Sequence, residues 1–457
     1  MRLLLVLLVL SATLVALPPV QADASANVVA LSGGGRHTCA LFEDSVVRCW
    51  GRNAEGQLGD GTNVSSPLPI DVIGLDDGAS DLSAGLTHTC AVTTGGVARC
   101  WGENGGRLGN GTEEASAVPV DVCADAACSS ALSNVASIAA GGSHSCAVLD
   151  DGTVACWGNN EDGQLGDGLT EGTTTPVAVS GLTDVAAISL GTSSSCALTT
   201  AGALFCWGSN VEGQIGDDRA CGMRCPLPQP VSGLGSGVTQ ISVGGLHACA
   251  LTDAGAVLCW GFNFDGQVGD GTEDNIRIVP TQIIDGGATV VEVGGGFRGH
   301  GCAFFVQSIV CWGDNDAGQV GDGTTNDRLR PIEIGQWPSV PSTVSLAAGD
   351  AHLCVLTTQQ LWHIRCTGAN ESGQLGDGTT TDRVMLWTID WSAKLRGDAN
   401  CDFSRTSIDA AIILQLTAGL LESTLCTKNA DTNANGSVDA IDAALVLQFS
   451  AGLLETL

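Results

Sequence analysis

Residues 247–272 read HACALTDAGAVLCWGFNFDGQVGDGT, and seven versions of this stretch follow one another along the 457-residue chain. Each version contains His-x-Cys-Ala, a turn, Cys-Trp-Gly-x-Asn and a Gly-Gln-Leu-Gly-Asp-Gly-Thr segment, with local variations. A period of about 50 residues is typical of architectures in which each unit buries its apolar face against the next. The leading cysteines of the seven units are Cys39, Cys90, Cys146, Cys196, Cys249, Cys302 and Cys354.

A second cysteine in each unit predicts a disulfide across a hairpin. Residues that face each other in an antiparallel hairpin have numbers with a constant sum, so one register places Cys249 opposite Cys259 and Leu251 opposite Val257. The loop 253–255 then ends on a glycine, where a three-residue hairpin needs a left-handed residue. Opposed residues lie about 4.5–5.5 Å apart, within reach of a disulfide. The predicted pairs are Cys39–Cys49, Cys90–Cys100, Cys146–Cys156, Cys196–Cys206, Cys249–Cys259, Cys302–Cys311 and Cys354–Cys366.

The six remaining cysteines form three further pairs, so that all 20 cysteines of the chain are expected in disulfides. A zinc site is the alternative, but its ligands usually come in close pairs two to four residues apart, unlike cysteines on opposed strands. The additional pairs are Cys123–Cys128 and Cys221–Cys225, in insertions after the second and fourth units, and Cys401–Cys426 near the C terminus.

The repeat predicts a mainly β fold. Each unit has signals for about four short strands, and seven such units predict a β-propeller whose ring closes to remove strand edges. The run from His247 through Cys259-Trp260-Gly261 to Thr272 resembles the regulator of chromosome condensation repeat, a family of seven-bladed propellers. We therefore expect a disulfide-stapled propeller over residues 25–392.

A different duplication begins after the propeller, with an offset of 33 residues. Each copy has oxygen-bearing residues at loop positions 1, 3, 5 and 12, as calcium requires, followed by apolar spacing typical of an amphipathic helix. Two such loop-helix units resemble a type I dockerin, so residues 393–457 are expected to form a small α-helical module with two EF-hand-type calcium loops. The expected Ca²⁺ ligands are Asp398, Asn400, Asp402 and Asp409 in the first loop, and Asp431, Asn433, Asn435, Asp439 and Asp442 in the second.

The two loops differ from the family pattern to different degrees. Phe403 replaces the turn glycine of the first loop and Arg405 its usual aliphatic residue, so calcium binding there is expected to be weaker than in the second loop, which keeps Gly436. Acidic loops without metal are the alternative. Dockerins commonly present Ser-Thr at positions 10 and 11, whereas this chain has Ser407-Ile408 and Ala440-Ile441. The partner of this module is expected to be a cohesin-like protein or a surface receptor other than a standard cellulosomal cohesin.

The N terminus and the charge indicate the compartment and exclude one class of partner. Met1 and Arg2 precede an apolar run over 3–17, and small residues follow, which predicts a secretory signal peptide over residues 1–24, with an uncleaved membrane anchor as the alternative. Disulfides persist outside the cell. With 49 acidic and 18 basic side chains, the net charge of −31 excludes nucleic acid as a favoured partner. We expect a secreted protein without direct membrane insertion, attached to a surface through its C-terminal module.

The recurrent polar residues are expected to have structural roles, since catalysis requires a site that differs from its repeats. Histidine precedes six leading cysteines, and aspartate recurs in the Gly-Asp-Gly turn, where capping of backbone amides is the first interpretation and a weak cation site the second. No nucleophile elbow, phosphate loop or His-Glu-x-x-His motif occurs. The histidines are His37, His88, His144, His247, His300 and His352; the turn residues are Asp60, Asn110, Asp167, Asp217, Asp270, Asp322 and Asp377.

The function expected from the sequence is an extracellular, non-catalytic protein-binding or scaffolding module without catalytic residues. Its propeller presents a binding face, and its dockerin-like tail docks to a surface or complex with calcium. The alternative is an enzyme or accessory protein of polysaccharide degradation, since dockerins often accompany such proteins and a pair of carboxylates could be assembled from different blades. A role in guanine nucleotide exchange, which the nuclear namesake of the repeat family has, is the least favoured, because fold does not carry function.

Overall fold

The computed structural model describes residues 28–273, 276–294, 299–336, 344–359, 361–389, 407–418, 430, 432 and 438–451. The chain divides into an all-β unit and a smaller helical unit. The expected signal peptide lies outside the described residues, as do the residues Asp398, Asn400, Cys401, Asp402, Cys426, Asp431, Asn433 and Asn435.

Seven antiparallel sheets form the all-β unit, and each contains four strands that are consecutive in the chain. The first four blades are β1 Val28–Gly33, β2 His37–Phe42, β3 Val47–Gly51, β4 Ser66–Asp71; β5 Ala79–Ala84, β6 His88–Thr93, β7 Ala98–Gly102, β8 Ser116–Asp121; β9 Val135–Ala140, β10 His144–Leu149, β11 Val154–Gly158, β12 Thr173–Ala178; and β13 Val185–Leu190, β14 Ser194–Thr199, β15 Leu204–Ser209, β16 Arg224–Pro230. The last three are β17 Val238–Val243, β18 His247–Thr252, β19 Val257–Gly261, β20 Arg277–Ile284; β21 Val290–Val293, β22 His300–Phe304, β23 Ser308–Gly313, β24 Arg328–Gln336; and β25 Val344–Ala348, β26 His352–Gln359, β27 Leu361–Gly368, β28 Arg383–Ile389.

The sheets close into a ring. The innermost strand of every blade packs against the innermost strands of both neighbouring blades, and β1 of the first blade packs against β25 of the last. Apolar side chains fill the spaces between blades, and six of the tryptophans that follow the second cysteines are completely buried there. The predicted seven-bladed propeller is confirmed.

The second and third strands of each blade form the predicted disulfide hairpin. In the fifth blade Cys249 pairs with Cys259 and Leu251 with Val257, which is the register expected from the sequence. Gly255 of the connecting turn has a φ of +75°, in the left-handed region. Disulfides join the two cysteines of all seven hairpins, with Cα–Cα distances of 4.0–4.1 Å. Disulfides also join Cys123 to Cys128 and Cys221 to Cys225.

A ring of glycines surrounds one end of the central channel, and we call it the glycine collar. A Cβ atom at Gly85 would lie closer than 3.0 Å to the carbonyl oxygen of Gly141 in the next blade and to the ring of His88. The same contact with the next blade recurs around the ring, including from Gly349 of the last blade to Gly34 of the first. Only glycine permits this approach of neighbouring backbones. The collar comprises Gly34, Gly85, Gly141, Gly191, Gly244, Gly294 and Gly349.

The innermost and outermost strands of a blade each have one edge without a neighbouring strand, and two devices protect the backbone groups at these edges. Serine hydroxyls accept inner-strand amides of the next blade, as Ser32 does from Ala84 N at 2.9 Å. In six blades the outer strand has a proline three residues after the residue that pairs with the glycine of Cys-Trp-Gly. A proline has no backbone N–H, so it cannot donate a hydrogen bond to an added strand. In the last blade this position holds Leu386. The prolines are Pro69, Pro119, Pro176, Pro228, Pro280 and Pro331.

The helical unit contains α1 Ser407–Thr417 and α2 Ala440–Ser450. The two helices contact each other, and their buried core includes Ala410, Ile413, Ala443 and Val446. These helices agree with the predicted helical module. A helix that could cross a lipid bilayer is absent from the described part of the chain.

The glycine collar predicts a position-specific effect of one added methyl group. The change Gly85→Ala should lower the free energy of unfolding by about 3 kcal/mol or more, because neither the next blade's carbonyl nor the buried His88 has space to move. Gly235→Ala is the matched control, since nothing lies within 4 Å of a Cβ there. Urea unfolding measures both variants, and equal stability of Gly85→Ala and the unchanged protein would contradict the collar.

Candidate functional site

The ends of the strands define two faces of the propeller. Because the strands are antiparallel, the turn after the first strand and the loop after the third strand of each blade lie at the same end. We call this end the collar face, since it carries the glycine collar and the seven loops that begin at the Cys-Trp-Gly-x-Asn segment. The hairpin turns between the second and third strands lie at the opposite end.

A buried asparagine organises each loop of the collar face. In the fifth blade Asn263 Oδ1 accepts the amide of Val268 at 2.9 Å, and Asn263 Nδ2 donates to Thr272 O at 3.2 Å and Asp270 Oδ1 at 3.3 Å. The side chain is completely buried, so these bonds are shielded from water. The equivalent residues are Asn53, Asn104, Asn160, Asn210, Asn315 and Asn370.

The recurrent turn aspartates cap backbone amides, as the sequence suggested. Asp270 Oδ1 accepts the amide of Thr272 at 3.0 Å, and Arg277 Nε donates to Asp270 Oδ2 at 2.6 Å. Burial alone would raise the pKa of Asp270, but the hydrogen bonds from Thr272 and Arg277 lower it on balance. The same arginine-aspartate pair recurs in the last two blades, as Arg328–Asp322 and Arg383–Asp377.

Each buried tryptophan joins its blade to the preceding one. Trp260 Nε1 donates to the backbone oxygen of Gln214 at 2.9 Å, and Trp50 Nε1 donates to that of Gln374 at 3.0 Å. The second bond connects the first blade with the last. Thr367 replaces tryptophan in the last blade and donates to Gly318 O at 2.8 Å. The tryptophans therefore belong to the ring.

The histidines form a second set of bonds between blades. His37 Nε2 lies 2.9 Å from Thr89 Oγ1 of the next blade, and the hydroxyl of Thr89 donates to Gln57 O at 2.9 Å. The same arrangement joins His88 to Ser145 and His144 to Ser195, both at 2.8 Å. His352 and Thr38 form it between the last blade and the first, at 2.9 Å. These four histidines have structural roles.

Three consecutive interfaces lack this bond. In the fourth blade Ser194 replaces the histidine. In the fifth blade Ala248 replaces the Thr or Ser whose hydroxyl bonds to the histidine at other interfaces. His247 and His300 are retained, but the next blade has Gly301 or Leu353, respectively, in place of the hydroxyl residue. The Nε2 atoms of both histidines are buried without a hydrogen-bond partner among the described residues. These three interfaces are joined instead by the bonds of Trp260, Trp312 and Thr367.

The buried histidines are neutral at physiological pH. Burial lowers the pKa of His37, His144, His247 and His352 to about 3 and that of His300 to about 4. Burial also lowers the pKa of His88 well below its usual value, and the charge of Arg107 adds to this effect. A buried imidazole that stays neutral at physiological pH is a poor proton shuttle, which agrees with a structural role.

The central channel encloses a cavity of about 240 Å³ lined by the innermost strands. Glu292 lines this cavity. It lies on the innermost strand of its blade, at the position where four other blades have Ser32, Ser83, Ser189 and Ser242. Burial raises the pKa of Glu292 to about 8, against the effect of its hydrogen bond with Ser242. The carboxyl group is therefore largely protonated at neutral pH and adds no charge to the channel.

A group of carboxylates distinguishes the sixth-blade loop of the collar face. Carboxylate oxygens of Asp314, Asp316 and Asp327 lie within 4.8 Å of one another. Burial raises the pKa of Asp314 to about 6; the amide of Asp316 opposes this shift, and the charges of Asp316, Asp327 and Asp265 increase it. The loop therefore concentrates negative charge on one sector of the face.

Three of the expected calcium ligands lie in the described part of the helical unit. Asp409 of α1 and Asp442 of α2 occupy equivalent positions, 33 residues apart, and both are completely buried. Asp442 Oδ2 accepts the amide of Asp439 at 2.8 Å. Buried carboxylate oxygens beside a loop rich in Asp and Asn suit a hard divalent cation such as Ca²⁺. Calcium bound there would supply positive charge and order the loop around it.

Sequence reasoning missed Glu292, Asp314 and the unbonded His247 and His300. The detectable signal was a departure from the repeat: Glu292 replaces a recurrent serine, and Gly301 replaces a recurrent small hydroxyl residue. Such substitutions stand out only after the seven units have been aligned by strand register.

The histidine ring predicts instability in acid. An unfolded histidine takes up a proton near pH 6.5, whereas the folded chain resists protonation until about pH 3–4. The free energy of unfolding should therefore fall as the pH falls below about 6.5, by about 2 kcal/mol for each histidine at pH 5. The raised pKa values of Glu292 and Asp350 act in the opposite direction.

A single substitution isolates the histidine contribution. Between pH 6 and pH 5, His144→Asn should reduce the slope of unfolding free energy against pH by close to one bound proton, whatever its effect on stability at pH 7. Urea titrations at several pH values measure this slope. An unchanged slope would show that His144 is not buried and neutral.

Known proteins resemble both parts of the chain. The ultraviolet-B receptor UVR8 of Arabidopsis thaliana is 28% identical over 368 residues, covering 78% of this chain and 80% of the receptor. The human E3 ubiquitin-protein ligase HERC2 is 33% identical over 343 residues, covering 73% of this chain but 6% of the ligase. The structure of yeast Prp20p has a TM-score of 0.63 and 22% identity, covering 76% of this chain and 86% of Prp20p, which supports the fold.

Family models match almost the whole length of the repeats and the tail. The RCC1-like domain model matches residues 11–303, and the regulator of chromosome condensation (RCC1) repeat model matches residues 309–356. The dockerin type I domain model matches residues 396–449. The first match alone covers more than half of the chain. The chain therefore belongs to the RCC1-like domain family and carries a C-terminal dockerin type I domain.

Proposed function

We propose that this protein is an extracellular, non-catalytic binding and scaffolding module, which holds a protein partner on its propeller and docks to a surface or complex through its C-terminal unit. The observation that carries the proposal is that the recurrent polar residues form hydrogen bonds that hold the scaffold together. Asparagine, aspartate and four of the histidines are bonded within or between blades. The repeat thus forms a ring scaffold, which displays loops that differ between blades.

The comparisons support a binding role in general terms. An RCC1-like propeller together with a dockerin domain fits protein binding rather than catalysis. One relative is named a receptor and another a ubiquitin-protein ligase, of which this chain matches only 6%. We infer a protein partner for the propeller. We do not transfer the activities of these relatives to this chain, because loops rather than the shared fold determine the partner.

We propose that docking of the C-terminal unit depends on calcium. Ca²⁺ binding would hold the loops that precede α1 and α2, as it does in EF-hand-type loops. The partner would be a cohesin-like protein or a surface receptor. Ala440 and Ile441 occupy positions where dockerins commonly have hydroxyl residues, and Ile441 is 60% exposed. An apolar contact at Ile441 would therefore replace hydroxyl hydrogen bonds in this chain's docking surface.

The proposed extracellular setting agrees with the cysteine chemistry. Nine disulfides occur among the described residues, and no described cysteine is free. Disulfides at this density are characteristic of secreted proteins, and reducing compartments would open them. The apolar N-terminal run over 3–17 would direct export.

Calcium titration tests the C-terminal unit. Calorimetry should show two binding events, with the second loop tighter than the first, because the first loop lacks the turn glycine. Asp442→Ala should remove the tighter event and Asp409→Ala the weaker one, while Asp151→Ala, an exposed hairpin residue of the propeller, should change neither. Absence of calcium uptake by the unchanged protein at millimolar concentration would contradict the proposed docking.

A pull-down separates the proposed function from the alternative. The full chain, immobilised with calcium or with chelator, should capture a surface protein only with calcium, and Ile441→Asp should weaken this capture. Incubation of the protein with a panel of polysaccharides should release no sugar. Product release that survives purification would overturn the binding role in favour of a glycan-degrading enzyme.

A further inference from the structure

The fifth-blade loop of the collar face contains the half-buried Phe262 and the exposed Phe264, and we call them the aromatic pair. The ring centroids of Phe262 and Phe264 are 4.9 Å apart, and Phe264 is 52% exposed. Five of the six equivalent loops have small or acidic residues at the position of Phe264, and the fourth blade has Val211. These five residues are Ala54, Gly105, Glu161, Asp316 and Glu371. An exposed aromatic ring at this position is therefore a specific feature of one loop.

Phe262 stands where two other loops have a hydrogen-bond acceptor. In the third blade Gln164 Nε2 donates to Asn159 Oδ1 at 2.7 Å, and in the sixth Gln319 Nε2 donates to Asp314 Oδ2 at 2.9 Å. Phe262 occupies the position of these acceptors, and Gln267 Nε2, like Gln57 Nε2 of the first blade, is buried without a hydrogen-bond partner among the described residues. A buried donor without an acceptor costs about 1–3 kcal/mol. The exposed ring of Phe264 is what distinguishes this loop from the others, and exposed apolar side chains are typical of binding surfaces.

Negative charge flanks the aromatic pair on one side. Asp265 follows Phe264 in the chain, and its charge acts on Asp314 in the next blade. The exposed residues Asp316 and Asp327 lie beside Asp314, with carboxylate oxygens within 4.8 Å of one another. Gly266, two residues after Phe264, lies against Leu329 of the sixth blade, so the apolar anchor lies near these carboxylates and one ligand could contact both.

We propose that the aromatic pair and the adjoining aspartates form a docking surface for a basic segment of a partner protein, in which an apolar side chain packs on Phe264 and Lys or Arg side chains face the aspartates. This inference rests on the proposed binding function and specifies its partner. A second copy of the chain is disfavoured as the occupant, since the same surface carries the same charge and each chain has a net charge of −31. Cationic side chains also stack favourably on aromatic rings.

Fluorescence anisotropy with three labelled 12-residue peptides tests the proposal on the full chain at constant calcium. The first peptide alternates Lys and Arg around a central Leu-Trp pair, the second replaces that pair with Gly-Ser, and the third keeps Leu-Trp but replaces the basic residues with Glu. The first peptide should bind at least tenfold more tightly than the second, and the third should not bind. Raising the salt concentration should weaken binding of the first peptide.

Substitutions locate the binding. Phe264→Ser should weaken the first peptide at least tenfold, and Asp316→Asn should weaken it and reduce its dependence on salt. Val306→Ser is the matched control, since Val306 is 53% exposed at the opposite end of the sixth blade; this variant should bind like the unchanged protein. Thermal unfolding of each variant confirms that the fold is retained.

Three outcomes would overturn the proposal. These are equal binding of the first and second peptides, unchanged binding by Phe264→Ser, and failure of the first peptide to bind. The calcium-dependent capture through the C-terminal unit would be unaffected by any of them. A failure of this surface is therefore distinguishable from a failure of the proposed scaffolding function.

Discussion

The close approach of neighbouring backbones at the glycine collar is the constraint on which the structure depends. A carbonyl oxygen of one blade occupies space that a side chain of the preceding blade would need, and this holds at all seven interfaces. The histidine of the same blade packs against the glycine from the other side, as His88 does against Gly85. The approach brings the indole, hydroxyl and imidazole groups of adjacent blades within hydrogen-bond distance. Closure also connects the first blade with the last, so the stability of each blade depends on the whole ring.

Two kinds of position follow from this constraint. Positions that recur in most blades are committed to closing the ring, as Asn263 and Trp260 are through their bonds within and between blades. Positions that depart from the repeat are available for function, and Phe262, Phe264 and Asp314 are such positions in two adjacent blades. The disulfide of each hairpin joins the middle of two strands, as Cys249–Cys259 does, and stabilises the scaffold without linking residues of the collar-face loops. A rigid ring with variable loops on one face is the arrangement expected of a binding module.

The fold was predictable because its determinants are local and repeated. The spacing of Cys249 and Cys259, with Leu251 and Val257, defines a hairpin register in a single unit, and seven copies define the propeller. The recurrence of the histidines also indicated a structural role, which the hydrogen bonds of His37, His88, His144 and His352 support. It did not reveal which histidines are bonded, because the partner of His37 is Thr89, a residue of the next blade whose position depends on ring closure.

The candidate binding surface could be predicted only in part, for the same reason. Phe264 was visible in the sequence, but its exposure and its nearness to the aspartates of the sixth blade depend on how adjacent loops pack. The expected calcium ligands follow from loop spacing alone, since that pattern is local. Asp409, Asp439 and Asp442 lie in the described residues, while the other expected ligands lie outside them and stay predictions. Long-range contacts are thus the part of the site that required the structure.

Hydrogen exchange at the glycine collar tests the closed ring most directly. The amides of Gly35, Leu86 and Gly142 donate to the glycine carbonyl of the next blade at 3.0–3.2 Å, and Asp350 N donates to Gly35 O across the junction of the last and first blades at 3.3 Å. If the ring is closed, these four amides should exchange only through global unfolding, with the same free energy as urea unfolding. Exchange of Asp350 and Gly35 as fast as that of unstructured backbone would show an open ring and contradict the account.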